Sequence, residues 1–324
     1  MSGVDADLTR LERMLSGRRF EERLILEGSR VSGLFHVAIG QEATAAAIAA
    51  SKRPGDVLML NHRNHEHLVA CGSPMDVLYA EIFGLDRGPL RGRAGSLHLC
   101  DPGAGVPYTS AMVGGGTPIG LGYALAMKRR KQSNAVFCCF GDGAMNEGVL
   151  HECLNIAALW ALPVVFVCES NAAHADGHAN ATQAAAELTD LAAANQIPTA
   201  AVDAWNPEAV DQALSAAVEH ARGGGPRFVL AQTQPWPGND TFFFPELVDG
   251  PLVLARAAQP PQGWEPYDPV LNEVRRLLAL GTELQRLEDL DAAVSARVAQ
   301  AVELALSSPA APAEAAFDDV WSYR

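Results

Sequence analysis

The sequence predicts an α/β protein: a doubly wound, mostly parallel sheet with helices on both faces and helical N- and C-terminal extensions. Three observations carry this expectation. β-rich runs at residues 134–140, 163–169, 197–202 and 226–232 alternate with helical stretches, and strands alternating with helices of roughly 10–15 residues mean βαβ units and a parallel sheet covered on both faces. The composition, 48% hydrophobic and 19% charged, is that of a globular chain and not of a disordered or fibrous one. The 324 residues allow one large domain or two smaller ones at ~100–200 residues each.

In chain order, residues 1–35 read as a helical segment, with Leu8, Leu11, Leu15, Phe20 and Leu24 at roughly helical spacing. A Gly- and His-rich middle, residues 33–116, promises mostly loops with short helical pieces such as 74–83. After the first β-rich run, residues 147–160 are apolar nearly all round and predict a buried helix. Residues 184–195 read as helical. Asn206-Pro207 marks a helix start, with Asn as cap and Pro at the first helical position. That helix should stop at the glycines of residues 223–225. Residues 235–266 are Pro-, Gly- and Phe-rich and read as a long surface loop. The C-terminal extension, 268–324, predicts two helices at 269–280 and 290–307, then a Pro/Ala linker at 308–315.

Charge and cysteine usage narrow the function classes. Lys and Arg total 24 against 38 Asp and Glu, a net charge of −14, so there is no cationic surplus for nucleic acid or for an anionic membrane surface. No apolar run approaches the ~18 residues of a membrane span, and the N-terminus lacks an apolar signal core, so a cytoplasmic location is expected. The six cysteines are scattered without a C-x-x-C pair, which reads as core thiols in a reducing compartment.

The chemistry concentrates in Gly141-Asp142-Gly143-Ala144, between a β-rich run and a helix. A Gly-Asp-Gly at a strand end lets backbone approach a phosphate and offers a carboxylate to a cation; alone, it reads equally as a tight turn with a capping Asp. Asn171 ends the next β-rich run, 29 residues after Asp142. Adjacent parallel strands would bring both oxygens to one small cation, and Mg2+ prefers oxygen ligands shared with phosphates. The expectation is a diphosphate–magnesium site.

Gly-Asp-Gly followed about 30 residues later by Asn is similar to the thiamine diphosphate-binding motif. Four further words occur in order: His36-Val37-Ala38-Ile39-Gly40-Gln41-Glu42-Ala43, His62-Arg63-Asn64-His65, Gly92-Arg93-Ala94-Gly95-Ser96-Leu97-His98, and Val113-Gly114-Gly115-Gly116-Thr117-Pro118-Ile119-Gly120. Together they resemble the alpha subunit of the thiamine diphosphate-dependent 2-oxo acid dehydrogenases, of pyruvate, branched-chain and acetoin types. The likeness runs from about Arg19 to the Asp318-Asp319-Val320-Trp321 tail.

The resemblance implies a thiamine diphosphate-binding fold, with residues 1–324 forming one domain for the diphosphate half of the cofactor. It implies Mg2+ ligation by Asp142, Asn171 and the carbonyl of Ala173. Gly141, Gly143 and Ala144 would lie along the diphosphate. Arg63 matches a phosphate-contacting arginine, and His62 stands where many members have Tyr and some acetoin-type members have His. Ala111 and Val113 match the segment that meets the aminopyrimidine. His36 matches a substrate-facing histidine, and His65 is a second catalytic candidate. The implied reaction is decarboxylation of a 2-oxo acid, or cleavage of an acyloin, through a thiamine-bound carbanion. The glutamate that activates the cofactor would sit on a separate beta subunit in an alpha2-beta2 heterotetramer, and the acyl group would pass to a lipoyl-bearing or other carrier protein.

Blander readings stand beside these. His62, His65 and His67 could form a zinc cluster, although no carboxylate or thiolate constellation supports one. His36 alone would read as structural, residues 114–116 as helix packing, and His174 and His178 as solvent-loop residues. The pattern also departs from the family. Where members usually read Tyr-Arg-x-His-Gly-His-Ser, this chain has Gln234-Pro235-Trp236-Pro237-Gly238-Asn239-Asp240. Both histidines are replaced, by Pro237 and Asn239, and Asn exchanges no proton near neutrality. Two alternatives follow: a thiamine diphosphate-dependent carboligase, and a non-catalytic regulatory paralogue, against which the intact Asp142 and Asn171 argue.

Overall fold

The computed structural model describes residues 3–171, 184–234 and 250–318. Six parallel strands form one sheet in the order β2-β1-β3-β4-β6-β5. They are β1 (Val57–Leu60), β2 (Tyr108–Thr109), β3 (Val136–Gly141), β4 (Val164–Ser170), β5 (Thr199–Asp203) and β6 (Arg227–Gln232). The helices are α1 (Gly3–Leu26), α2 (Glu42–Ser51), α3 (His65–Ala70), α4 (Met75–Ile82), α5 (Gly116–Arg129), α6 (Gly148–Leu159), α7 (Leu188–Ala193), α8 (Pro207–Arg222), α9 (Pro269–Ala279) and α10 (Leu284–Leu306).

Alternation along the strands builds two cores, one per face. Phe137, Cys139, Val165, Val167, Val229 and Ala231 pack with residues of α1, α2, α4, α8, α9 and α10. Cys138, Phe140, Phe166, Cys168, Phe228 and Leu230 pack with α5, α6 and α7. The sheet is therefore doubly wound, as expected. On the second face α5 comes close because residue 120 has no side chain: a Cβ there would stand 2.4 Å from Cys138 Sγ.

The four strands read from periodicity are present, and Asn206 caps α8 through its side-chain oxygen, which accepts from the Ala209 N–H. Other expectations need correction. The loop-rich middle contains β1, β2, α2 and α3, and α5 starts at its last residue. The N-terminal helix ends at Leu26, and Gly33 and Gly40 then adopt left-handed φ of +92° and +99°, which glycine tolerates best. α6 buries only Leu150, Cys153, Leu154 and Ala157, because one side lies on the sheet and the other is exposed, with Leu159 74% accessible. α7 is shorter than residues 184–195 and starts at a capping box between Glu187 and Asp190. α10 starts at Leu284 rather than at 290.

Within the expected surface loop, residues 250–266 bury Leu252, Leu254 and Ala257. The Leu252 N–H donates to Glu22, and Arg19 donates to the Leu252 carbonyl, so this part is anchored to α1. The linker is also fixed, by Asp86 N–H donating to Pro309 O and Ala311 N–H to Gly84 O. Residues 235–249, with Pro235, Pro237 and Asn239, lie outside the described residues, as do Ala173, His174 and His178.

Candidate active site

The strands preceding β3 lie on one side of it and those following on the other, and ligands of such sheets sit beyond the carboxyl ends of the strands. A cavity of about 170 Å³ opens there. Its lining comes from four strand ends: Asn61, His62 and Arg63 after β1, Met112, Val113 and Gly114 after β2, Gly141, Asp142, Gly143 and Ala144 at β3, and Glu169 and Asn171 at β4. Phe140 of β3 and Gln41 complete the lining.

The register explains why residues 29 apart in sequence meet. β3 and β4 pair in parallel through Gly141↔Glu169, so the next residues leave the sheet side by side. Asp142 is 6% exposed, and its carboxylate accepts from the Gly143 N–H at 3.2 Å and the Ser170 hydroxyl at 3.5 Å. A Cβ on Gly143 would meet nothing within 4 Å, so the backbone there faces open space. Asn61 Oδ1 accepts from the Arg63 N–H at 2.7 Å, and the Arg63 guanidinium donates to the Val37 carbonyl. Arg63 thus ties the β1 end to the segment carrying His36.

The His36 and His62 rings meet edge to face, centroids 4.9 Å apart. Burial pushes both imidazoles down to about 4, and Arg63 adds to the effect in each. Both are therefore neutral near pH 7. Below 6.5 the unfolded chain takes up protons that these rings refuse until about 4, so their contribution to stability should be lost as pH falls through that window. His62→Tyr should make the fall of melting temperature between pH 6.5 and 4 shallower than in the wild type. An unchanged slope would show that His62 titrates normally in the fold.

His65 is placed differently from expectation. It is fully buried, with Nδ1 3.0 Å from Glu21 Oε2 and Nε2 2.9 Å from Ser96 Oγ, and it does not line the cavity. Glu21 also accepts from the Ala38 N–H at 3.0 Å. His65 thus links α1, α3 and, through Glu21, the loop that carries His36. Ala111 likewise stands just outside the lining, beside Met112 and Val113. His62, His65 and His67 do not converge on one point: His62 faces His36, His65 faces Glu21, and His67 faces Glu169.

Sequence reasoning missed the groups that hold Gln41 in the cavity wall. Arg18 on α1 is fully buried and bonds both Glu42 and Asp268. Glu42 in turn accepts from the Gly40 N–H at 3.0 Å. The available signal was a charged residue three and four positions after Leu15 and Met14, inside the apolar stripe of α1.

Comparison with known proteins gives the family of the chain. The dehydrogenase E1 component family matches residues 12–233. The acetoin:2,6-dichlorophenolindophenol oxidoreductase alpha subunit of Bacillus subtilis (strain 168) is 39% identical over 230 residues, 68% of each chain. Its counterpart from Cupriavidus necator is 36% identical over 227 residues, covering 68% of this chain and 67% of that one. The pyruvate dehydrogenase E1 component alpha subunit of Zymomonas mobilis is 31% identical over 301 residues, 92% of this chain and 83% of that one. The fold is that of an α/β protein with a cavity at the carboxyl edge of its parallel sheet, and these relatives are enzyme subunits. The chain belongs to the dehydrogenase E1 component family.

Proposed function

We propose that this chain is the alpha subunit of a two-chain, thiamine diphosphate- and Mg2+-dependent enzyme that decarboxylates a 2-oxo acid or cleaves an acyloin. The observation that carries the reading is the convergence of Asp142, Asn171, Arg63 and the open backbone of Gly143 on one cavity. Hard oxygen donors beside an arginine fit a magnesium-bridged diphosphate. Asp142 and Asn171, with the carbonyl of Ala173, would hold the metal; Arg63 and His62 would meet phosphate; Val113 would meet the aminopyrimidine. When bound, thiamine diphosphate supplies an electron sink for the bond-breaking step. His36 does not itself line the cavity; neutral near pH 7 and packed edge to face on His62, which does, it would hold or move a proton next to that ring. The six cysteines are free thiols, in keeping with a reducing cytoplasm. No described helix is long and apolar enough to cross a membrane.

The cavity falls below the ~300–1,000 Å³ of a complete ligand pocket. Met112 and Val113, which line it, are 74% and 47% exposed. Both features suit half a site whose apolar rim a beta subunit covers, in an alpha2-beta2 assembly. The purified chain with thiamine diphosphate and Mg2+ should show no reduction of 2,6-dichlorophenolindophenol with pyruvate or acetoin, and activity should appear on adding the partner. Turnover by the chain alone would contradict the two-chain reading.

A second reading, carboligation, is favoured by Pro237 and Asn239 in place of the family's loop histidines. A positioned acid–base is worth ~100- to 10,000-fold, so acylation of a lipoyl domain should lag far behind dye-coupled turnover in the reconstituted enzyme. Mass spectrometry of the lipoyl group checks this. Acylation as fast as dye reduction would restore the ordinary dehydrogenase reading.

A further inference from the structure

Behind the cavity wall, three different donor types meet in the core. His67 on α3, Cys139 on β3 and Glu169 on β4 are 0%, 6% and 2% exposed. One donor atom from each, a ring nitrogen, the sulfur and a carboxylate oxygen, lies within 4.8 Å of the other two. The strand pairing explains the meeting: Cys139 pairs with Val167, and Glu169, two residues on, points to the same face of the sheet. α3 packs on α1 and α2 on that side of the sheet, and its His67 reaches Glu169 at the end of β4.

The group is polar, buried and unsatisfied. His67 Nε2 lies 3.2 Å from Glu169 Oε1, yet off the hydrogen-bonding direction. Neither ring nitrogen and neither carboxylate oxygen has a hydrogen-bond partner among the described residues. The neighbouring Glu66 carboxyl is 1% exposed and unpartnered as well. Buried polar side chains nearly always find partners, and leaving one without is costly. One nitrogen, one carboxylate oxygen and one thiol thus meet in a small buried volume, and what fills it must accept nitrogen, sulfur and oxygen together.

We propose that His67, Cys139 and Glu169 form a site for a borderline-soft divalent cation, of which Zn2+ is the type, distinct from the Asp142–Asn171 site. A magnesium ion would not choose it, because Mg2+ takes oxygen ligands in an octahedron. Zn2+ takes imidazole, thiolate and carboxylate in a tetrahedron at ~2.0–2.3 Å. Those bond lengths put ligand atoms on the order of 3.5 Å apart, within reach of the observed spacing after small side-chain rotations. Binding forms Zn–N, Zn–S and Zn–O bonds and breaks the Cys139 S–H bond, whose proton leaves to solvent. Glu169 also lines the cofactor cavity, so water from that cavity can take the fourth position.

The test uses the full chain, stripped with chelator and titrated with CoCl2, then with ZnCl2 against a chromophoric chelator. One equivalent of Co2+ should bind and give a near-ultraviolet thiolate-to-cobalt charge-transfer band with strong tetrahedral visible bands, which one equivalent of Zn2+ should bleach. Cys139→Ser should abolish the charge-transfer band and weaken Zn2+ by more than about 100-fold, since even outer-shell changes cost 10–100-fold. Asp142→Ala should keep both. If Cys139→Ser fails to fold, Glu169→Gln, which keeps the thiol, should shift the visible bands and weaken Zn2+. Binding without a charge-transfer band, a band that survives Cys139→Ser, loss of the band in folded Asp142→Ala, or no stoichiometric binding would each overturn the site.

Discussion

Asp142→Ala should weaken magnesium-dependent cofactor binding by about a hundredfold or more while leaving the fold intact. Asp142 is the charged member of the proposed ligand set, and the β3–β4 register sets it beside Asn171. Its carboxylate accepts from the adjacent Gly143 N–H and the Ser170 hydroxyl beyond the strand ladder, and circular dichroism of the variant checks that the sheet is kept. Affinity should drop by roughly a hundredfold or more, at ~1.4 kcal/mol per decade. Calorimetric titration of the folded variant checks it, and affinity equal to the wild type would remove Asp142 from the metal site.

Arg18→Met should be the most destabilising single change at the supporting layer. Arg18 is fully buried between Glu42 and Asp268, both with 0% exposed side chains. Burial would by itself lower its pKa, but the two carboxylates beside it hold it well above the ordinary value. Removing the guanidinium leaves two carboxylates facing each other in the core, and breaking such a buried set costs about 3–5 kcal/mol. Denaturant unfolding would measure the loss. Replacing Arg18 and Glu42 by apolar residues and Asp268 by Asn, which keeps the cap on the Val270 and Leu271 N–H groups, should recover part of it, because no orphaned charge remains. A loss under about 1 kcal/mol in Arg18→Met would show that the ion set is not what holds the Gly40–Gln41 turn.

What the sequence revealed of this protein, and what it hid, divides by range. β3, β4, β5 and β6 were legible as apolar runs with clear turn signals, and Asn206-Pro207 marked α8 locally. β1 has four residues and β2 only two, too few for any period to register. α5 begins in a glycine-rich run and takes its place from the close contact of Gly120 with Cys138, a tertiary fact. In the site, Asp142 and Asn171 were legible because a βαβ unit fixes where consecutive strand ends go. Arg63 and His62 stood out only within a longer word. The pairing of Arg18 with Asp268 spans 250 residues, and the meeting of His67 with Cys139 and Glu169 depends on how α3 packs on α1 and α2. Neither leaves a local pattern. The histidine spacing that suggested a metal pointed at the wrong partners, since only His67 turns toward a thiol and a carboxylate.

The central claim, that this cavity takes a magnesium-bridged diphosphate, is tested most directly by calorimetric titration of thiamine diphosphate into the full chain, with Mg2+ and again with EDTA. The account predicts saturable one-to-one binding that requires Mg2+. Absence of binding in both, or equal affinity with the metal removed, would contradict it.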